Sequence, residues 1–117
     1  MAKINDPLAA ALLDTYGRRF PAGSRLELRK ADGVLAAIQL TGDPWTVDGR
    51  AIDVLGGWSG VASGDGLVDN YLLTSPDGLY EDAGTVSGPN GEGDMRMDNP
   101  TLARGQGVFV NSFRKEL

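Results

Sequence analysis

The chain of 117 residues contains no cysteine and no histidine. It therefore has no disulfide, no thiol nucleophile, no imidazole base and no ordinary zinc site. An excess of basic residues is also missing, since 11 Lys and Arg stand against 16 Asp and Glu and give a net charge of −5. That balance argues against a nucleic-acid partner, which favours a clustered basic surface. These absences predict a protein that is not an enzyme and that needs neither a cofactor nor a metal.

Long apolar runs are missing as well. No segment approaches the ~18 residues that a membrane span needs, and residues 1–7 lack the basic and then apolar pattern of a signal peptide. The length suits one domain, residues 1–117, with enough chain to bury a core without covalent cross-links. We therefore expect a single globular domain with no membrane partner.

Glycine, by contrast, is abundant, with 17 residues spread along the chain. Several follow an acid or an amide, in Asp32-Gly33, Asp48-Gly49, Asp65-Gly66, Asp77-Gly78 and Asn90-Gly91. Such dipeptides are typical of tight hairpin turns, because both central positions take positive φ. Their spacing predicts a series of short antiparallel strands.

The first predicted element is a helix over about residues 7–16. Asp6 is a candidate N-cap, Pro7 suits the first helical position and Gly17 is a candidate C-terminal stop. One apolar stripe at helical spacing is formed by Leu8, Leu12, Leu13 and Tyr16. The stripe predicts packing against a sheet, with a partner-binding helix as the alternative.

From about residue 25 to residue 115 the apolar period changes to two, which predicts strands. Leu26 and Leu28 alternate with charged residues, and Met95 and Met97 do the same, so all four are expected to face the core. The sum is a mainly β fold: an antiparallel β-sandwich or small barrel of about seven or eight strands with one N-terminal α-helix.

The carboxylates and the serine that could take part in catalysis or metal binding are explained better by structural roles. Most carboxylates stand beside turn glycines, where turn chemistry accounts for them, and the oxygen-rich segment 64–70 does not match the spacing of a calcium loop. Ser59 lacks a histidine base. Two alternatives stay open: a pair of facing carboxylates, as in a glycosidase, and a sugar-binding platform formed by Trp45, Trp58 and Tyr80.

Five segments occur in an order that is informative as a whole. They are Leu26-Glu27-Leu28-Arg29, Leu35-Ala36-Ala37-Ile38-Gln39-Leu40, the hairpin of residues 71–86 around Asp77-Gly78, Asp94-Met95-Arg96-Met97-Asp98 and Gly107-Val108-Phe109-Val110-Asn111-Ser112-Phe113. In this order the chain resembles a family of small structural proteins of tailed-bacteriophage virions. The resemblance covers most of the chain and departs from the family pattern in residues 45–60, which are richer in tryptophan.

The resemblance implies a capsid cement, or decoration, protein. Such a protein is made in the host cytoplasm, resides on the capsid surface of the virion and bridges neighbouring capsomers of the major capsid protein. Self-association as a dimer or trimer is part of the same expectation. A tail, neck or head–tail connection protein of the virion is the alternative that the resemblance leaves open.

Contacts with the shell are expected from an N-terminal arm, from basic residues at the helix end and from exposed tryptophans. These residues are Lys3, Ile4, Asn5, Arg18, Arg19, Trp45 and Trp58. No catalytic, cofactor-binding or metal-binding residue is predicted.

Overall fold

The computed structural model of the chain describes residues 3–55 and 57–117. This part is mainly β and carries one α-helix, as the sequence predicts. The elements are α1 (Asp6–Arg19), β1 (Arg25–Lys30), β2 (Gly33–Gln39), β3 (Trp45–Asp48), β4 (Ala51–Val54), β5 (Trp58–Val61), β6 (Gly66–Leu67), β7 (Asn70–Thr74), β8 (Glu81–Ser87), β9 (Met95–Met97), β10 (Thr101–Leu102), β11 (Gly107–Ser112) and β12 (Lys115–Glu116).

Seven strands form one curved sheet in the order β2-β1-β7-β8-β9-β11-β5. Its two outer strands approach each other, because Ala36 bridges Ala62 and the amide of Ser63 donates to the carbonyl of Leu35 at 2.8 Å. The sheet is therefore a nearly closed barrel, which is the second of the two architectures that the sequence predicts. Two small sheets, β12-β4-β3 and β10-β6, accompany it.

The barrel interior is filled by the inward side chains of alternating strand positions. On β1, Leu26 pairs with Leu73 of β7, and Leu28 pairs with Tyr71. Met95 and Met97 are fully buried, as their alternation predicts. α1 packs against β3 and β4, and a chain of aromatic rings connects it to the core through Tyr16, Trp45, Trp58, Phe113 and Tyr71.

The helix differs from its predicted limits at both ends. Asn5, not Asp6, is the N-cap: its side-chain oxygen accepts from the amide of Leu8 at 3.1 Å. The helix runs through Gly17 to Arg19 and is capped by Phe20, whose amide donates to the carbonyl of Gly17. Gly17 is therefore an interior residue of the helix.

The predicted hairpin around Asp77-Gly78 is confirmed, with pairs running from Asn70↔Thr85 to Thr74↔Glu81. At the β1–β2 turn, the positive φ falls on Ala31 and not on the predicted Asp32-Gly33 pair. The strand pairing departs from the predicted antiparallel pattern in one place, since β8 and β9 are parallel over two residue pairs.

Candidate functional site

The two tryptophans expected at a contact surface are buried, so this prediction is wrong. Trp45 is 7% exposed and Trp58 is 6% exposed. Their rings meet edge to face with centroids 4.9 Å apart. Each indole N–H has a backbone acceptor, the carbonyl of Phe20 for Trp45 and the carbonyl of Pro44 for Trp58. Burial removes large apolar rings from water while the polar atoms stay bonded, and it leaves neither ring free to stack on a sugar.

The expected N-terminal arm lies against the body of the protein. The side chain of Asn5 caps the helix, and the carbonyl of Ile4 accepts from Arg50 Nη1 at 2.9 Å. The same nitrogen donates to Asp6, while Arg50 Nε donates to the carbonyl of Leu117 at 2.6 Å. Lys3 is exposed. Arg50 therefore joins the start of α1 to the segment that follows β12.

The two arginines at the end of α1 have different surroundings. Arg18 forms an exposed ion pair with Asp14 at 2.9 Å. The guanidinium of Arg19 lies 5.4 Å from the centre of the Tyr80 ring. Arg19 forms no ion pair within 4 Å among residues 3–55 and 57–117. Of the predicted contact residues, Arg19 is the one that the fold places beside exposed apolar side chains.

Exposed apolar side chains occur along α1 and in the turn between β7 and β8. Leu8 and Leu12 are 47% and 48% exposed, and Leu79 and Tyr80 are 69% and 39% exposed. Leu8, Leu12 and Arg19 share one side of the helix at helical spacing, and Arg19 leads to Tyr80. We call these five residues the α1–hairpin face. The predicted stripe thus divides, since Leu13 is buried and the two other leucines are not.

A groove of about 600 Å³ lies beside this face. It is lined by Tyr16, Arg19, Phe20, Leu79, Tyr80, Glu81, Asp82 and Lys115. Aromatic rings and both signs of charge therefore meet in one open depression. Sequence reasoning did not find it, because its residues come from three distant segments, although the mixed apolar and charged Leu79-Tyr80-Glu81-Asp82 run after a turn was a visible signal.

Asp82 is the most connected side chain of the groove. The hydroxyl of Tyr16 donates to one of its oxygens, the hydroxyl of Tyr71 to the other at 3.3 Å, and Lys115 Nζ lies 2.9 Å from the first. The ammonium of Lys115 also lies over the rings of Tyr16 and Phe113. Asp82 thus joins α1, the β7–β8 hairpin and β12 by charge-assisted bonds.

The two phenols are held strongly in their protonated form. Burial raises the pKa of Tyr16, and its hydrogen bond to Asp82 and the charge of that carboxylate raise it further. Burial also raises the pKa of Tyr71, with further increases from the charge of Asp82 and the hydrogen bond to it. Both tyrosines therefore act as hydrogen-bond donors at neutral pH, and their protons are committed to Asp82.

Other carboxylates also accept hydrogen bonds, within its own turn for Asp77, as turn chemistry predicts, and from a distant segment for Asp65. Asp77 accepts from the Ser75 hydroxyl and the Leu79 amide, and Asp65 accepts from the amide of Arg104 at 2.8 Å. No group of three or more His, Cys, Asp or Glu side chains in the described part of the chain is placed to hold a metal ion. No helix in the same part is long and apolar enough to cross a bilayer.

Comparison of the chain with models of protein families, with curated proteins and with solved structures gives no match. The function expected from the order of the sequence motifs therefore stays a prediction.

Proposed function

We propose that the chain is a capsid cement protein of a tailed bacteriophage. In this proposal the α1–hairpin face binds the outer surface of the shell, where it contacts the major capsid protein and stabilises neighbouring capsomers. The observation that carries the proposal is the exposure of Leu79 and Tyr80 beside Arg19 and an open groove, with two further exposed leucines along the same side of α1. The order of the sequence motifs is the reason for proposing a phage capsid as the assembly to which the protein binds.

The chemistry of the face supports a protein partner. Aromatic residues and arginine are enriched in protein interfaces, and apolar side chains near a charged residue are typical of an interface core with a polar rim. Arg19 stacks on Tyr80 and has no carboxylate within 4 Å in the described residues. A carboxylate of the partner can therefore pair with Arg19 without displacing an existing bond.

A rigid β barrel suits the mechanical role of a cement protein. A ligand that binds only the expanded shell stabilises that state by mass action. A shell has many equivalent sites, so a modest free energy at each one becomes large in sum, and no chemical step is required. The bond between Tyr16 and Asp82 holds α1 to the β7–β8 hairpin and so keeps the two parts of the face together, which lowers the entropy lost on binding.

The test is co-sedimentation with expanded capsids of the phage whose genome encodes the chain. The wild-type protein should saturate the capsids at hundreds of copies per particle. Replacing both Leu12→Ser and Leu79→Ser should weaken binding at least about tenfold, because interface anchors cost more than 1 kcal/mol each when truncated. Leu67→Ser is the matched control, since Leu67 is 52% exposed on the β10–β6 sheet.

Two results would overturn the proposal. One is equal binding by the wild type and the double variant, which removes the face from the contact. The other is binding at tens of copies or fewer at a single vertex, which would assign the protein to the neck or tail.

A further inference from the structure

β3 has one side that no other strand covers. The order in its small sheet is β12-β4-β3, so β3 pairs with β4 and stands at the edge. In residues 3–55 and 57–117 every other strand of three or more residues has a neighbour on each side, although β2 and β5 meet only at the bridge between Ala36 and Ala62. The open side of β3 is therefore the longest unpaired strand edge in this part of the chain.

The hydrogen bonds of β4 show which backbone groups of β3 point to the open side. The amide of Leu55 donates to the carbonyl of Pro44 at 2.9 Å, which makes these two residues a bonded pair. Bonded and non-bonded pairs alternate along an antiparallel ladder, and Trp45 is opposite Val54 in the register. The N–H and C=O groups of Trp45 therefore face away from β4. In agreement, the amide of Val54 donates to the side chain of Asp53.

Val47 has the same orientation, as the other side of β4 shows independently. Val47 is opposite Ile52, and Ile52 is also opposite Lys115 of β12. The amide of Leu117 donates to the carbonyl of Arg50 at 3.0 Å, so by alternation Ile52 and Lys115 are the next bonded pair. The backbone groups of Ile52 are thus directed to β12, and the N–H and C=O groups of Val47 face the open side.

A groove of about 500 Å³ lies beside this edge. Its walls come from the end of α1, from the turn at Pro21 and Ala22, from residues 42–44, and from the two residues whose backbone groups are unpaired, Trp45 and Val47. The side chain of Val47 is 39% exposed, so an apolar contact is available next to the unpaired groups. A row of donors and acceptors therefore stands at the rim of a depression.

The surroundings of the edge are acidic. Asp43 precedes β3 and lines the groove, Asp48 ends the strand, and both are exposed. Neither forms an ion pair within 4 Å in the described part of the chain. Asp14, on the groove wall, is already paired with Arg18 at 2.9 Å. Two negative charges without a partner cation thus frame the unpaired backbone groups, and they favour a basic ligand.

We propose that the open side of β3 binds an extended, basic segment of another protein, which joins the small sheet as a fourth strand. The backbone of the segment exchanges hydrogen bonds with Trp45 and Val47. Its lysine or arginine side chains pair with Asp43 and Asp48, and an apolar side chain between them contacts Val47. In this mode of recognition the main-chain bonds provide affinity, and the side chains select the sequence.

The occupant follows from the edge itself. Outward N–H and C=O groups on every second residue match the hydrogen-bond repeat of an extended chain. The site goes beyond the capsid proposal and shares no residue with the α1–hairpin face. Failure of either proposal therefore leaves the other one standing.

Selection from a yeast-displayed library of random decapeptides tests the proposal with the isolated protein. Peptides enriched by the wild type should carry Lys or Arg on both sides of a short apolar stretch. They should lose binding to Val47→Pro, which removes an outward N–H but no bond to β4, a position where an edge strand tolerates proline. Val47→Thr, which keeps the N–H, is the matched control and should bind within about twofold of the wild type.

Circular dichroism and thermal melting establish that each variant is folded. Enriched peptides that bind Val47→Pro as well as the wild type would overturn the proposal, and so would a selection that yields no peptide specific for the wild type. Enrichment of acidic or uncharged peptides would equally contradict the basic character of the partner.

Charge removal tests the two acids separately from the backbone. The double variant Asp43→Asn and Asp48→Asn should bind an enriched peptide about tenfold more weakly at low salt, because both partner cations lose their anions. Asp32→Asn is the control, since Asp32 is exposed in the β1–β2 turn. Equal affinity in the double variant and the control would contradict the assigned pairing.

Backbone methylation of an enriched peptide gives a further test that leaves the protein unchanged. A strand directs the N–H groups of alternate residues to the same neighbour. N-methyl groups on one alternating set of peptide residues should therefore weaken binding at least about tenfold, and N-methyl groups on the other set should change it by less than about twofold. Equal effects of the two sets would show that the peptide does not add to the sheet.

Discussion

At the scale of single residues, Asp82 connects parts of the chain that are far apart in sequence. Its partner Tyr16 is 66 positions away, and Lys115 comes from the last strand. Hydrogen bonds to a charged group contribute roughly 1.5–3 kcal/mol each to stability. Because the phenols of Tyr16 and Tyr71 donate only while they are protonated, this cluster gives the protein a particular response to alkali.

We predict that stability falls steeply above about pH 10. An unfolded tyrosine ionises near pH 10, whereas the raised pKa values keep Tyr16 and Tyr71 protonated in the folded state. The unfolded chain then binds fewer protons, so the free energy of unfolding decreases by about 1.4 kcal/mol per pH unit for each tyrosine. Below pH 10 the contribution is complete.

Urea unfolding between about pH 8 and pH 11.5 measures this slope. Tyr16→Phe should make the alkaline slope shallower by about 1.4 kcal/mol per pH unit. Tyr80→Phe is the control, since Tyr80 is half-exposed and its hydroxyl has no hydrogen-bond partner in the described residues. Identical slopes for the wild type and Tyr16→Phe would show that the Tyr16 proton is not held as described.

Local alternation was enough to predict which single residues of a strand face the core, as Met95 and Met97 show. It could not predict the partners of Asp82, because no local pattern connects residues 16, 71, 82 and 115. The tryptophans were misplaced for a related reason. The pattern of residues 45–62 indicates weak strands without showing which side chains are buried. The aromatic cluster that buries both tryptophans brings together α1, β3, β5 and Phe113 after β11.

At the scale of elements, Gly17 shows why the end of the helix was predicted too early. A Cβ at this position would lie 3.2 Å from Ile52 Cδ1 and 3.5 Å from Trp45. The glycine is there so that α1 can approach β3 and β4 closely, and sequence alone does not separate this use from a helix stop. At the other end, Asn5 and Asp6 are equally good N-cap residues by type. In the structure the carboxylate of Asp6 accepts from Arg50, and the side chain of Asn5 caps the helix.

The parallel pairing of β8 and β9 involves a close approach of the backbone at Gly93 to β8. Parallel neighbours usually need a connection of a dozen or more residues, and here segment 88–94 suffices. The segment folds back along β8. The amide of Thr85 donates to the carboxylate of Asp94, and the amide of Asp94 donates to the hydroxyl of Thr85. Gly93 lies so close to β8 that a Cβ would stand 2.5 Å from the nitrogen of Ser87.

Gly93→Ala should therefore destabilise the protein by about 2 kcal/mol or more, since backbone atoms have to move to admit the methyl group. Gly33→Ala is the matched control, because its Cβ would meet only the carbonyl of Lys30, at 3.5 Å. We expect the control to change the free energy of unfolding by less than about 1 kcal/mol. Chemical denaturation measures both, and equal effects would contradict the close approach of segment 88–94 to β8.

At the scale of the whole molecule, the barrel depends on contacts that are distant in sequence. In the strand order β2-β1-β7-β8-β9-β11-β5, β5 pairs with β11 at one end of the sheet and approaches β2 at the other. Periodicity predicts the strands and the hairpins, since both are local. It cannot predict the order in which hairpins assemble, and for that reason the sequence left the choice between a sandwich and a barrel open.

Arg50 provides a test at this scale, because it joins two segments that are far apart in the sequence, at Ile4 and at Leu117. In Arg50→Ala, the amides of Ala9 and Leu117 should exchange with solvent about tenfold faster, while the barrel amide of Leu28 stays unchanged. Arg104→Ala is the control, since Arg104 also donates to a backbone carbonyl but lies elsewhere on the surface. Hydrogen exchange followed by NMR measures all three sites. Unaltered exchange at Ala9 and Leu117 would mean that Arg50 does not hold these segments.

The bonds of Arg50 couple two parts of the fold. The carbonyls of Ile4 and Leu117 both accept from one guanidinium within 3 Å, so the start of α1 and the residue after β12 share a single anchor. Detachment of one weakens the hold on the other, and we expect the two to open cooperatively.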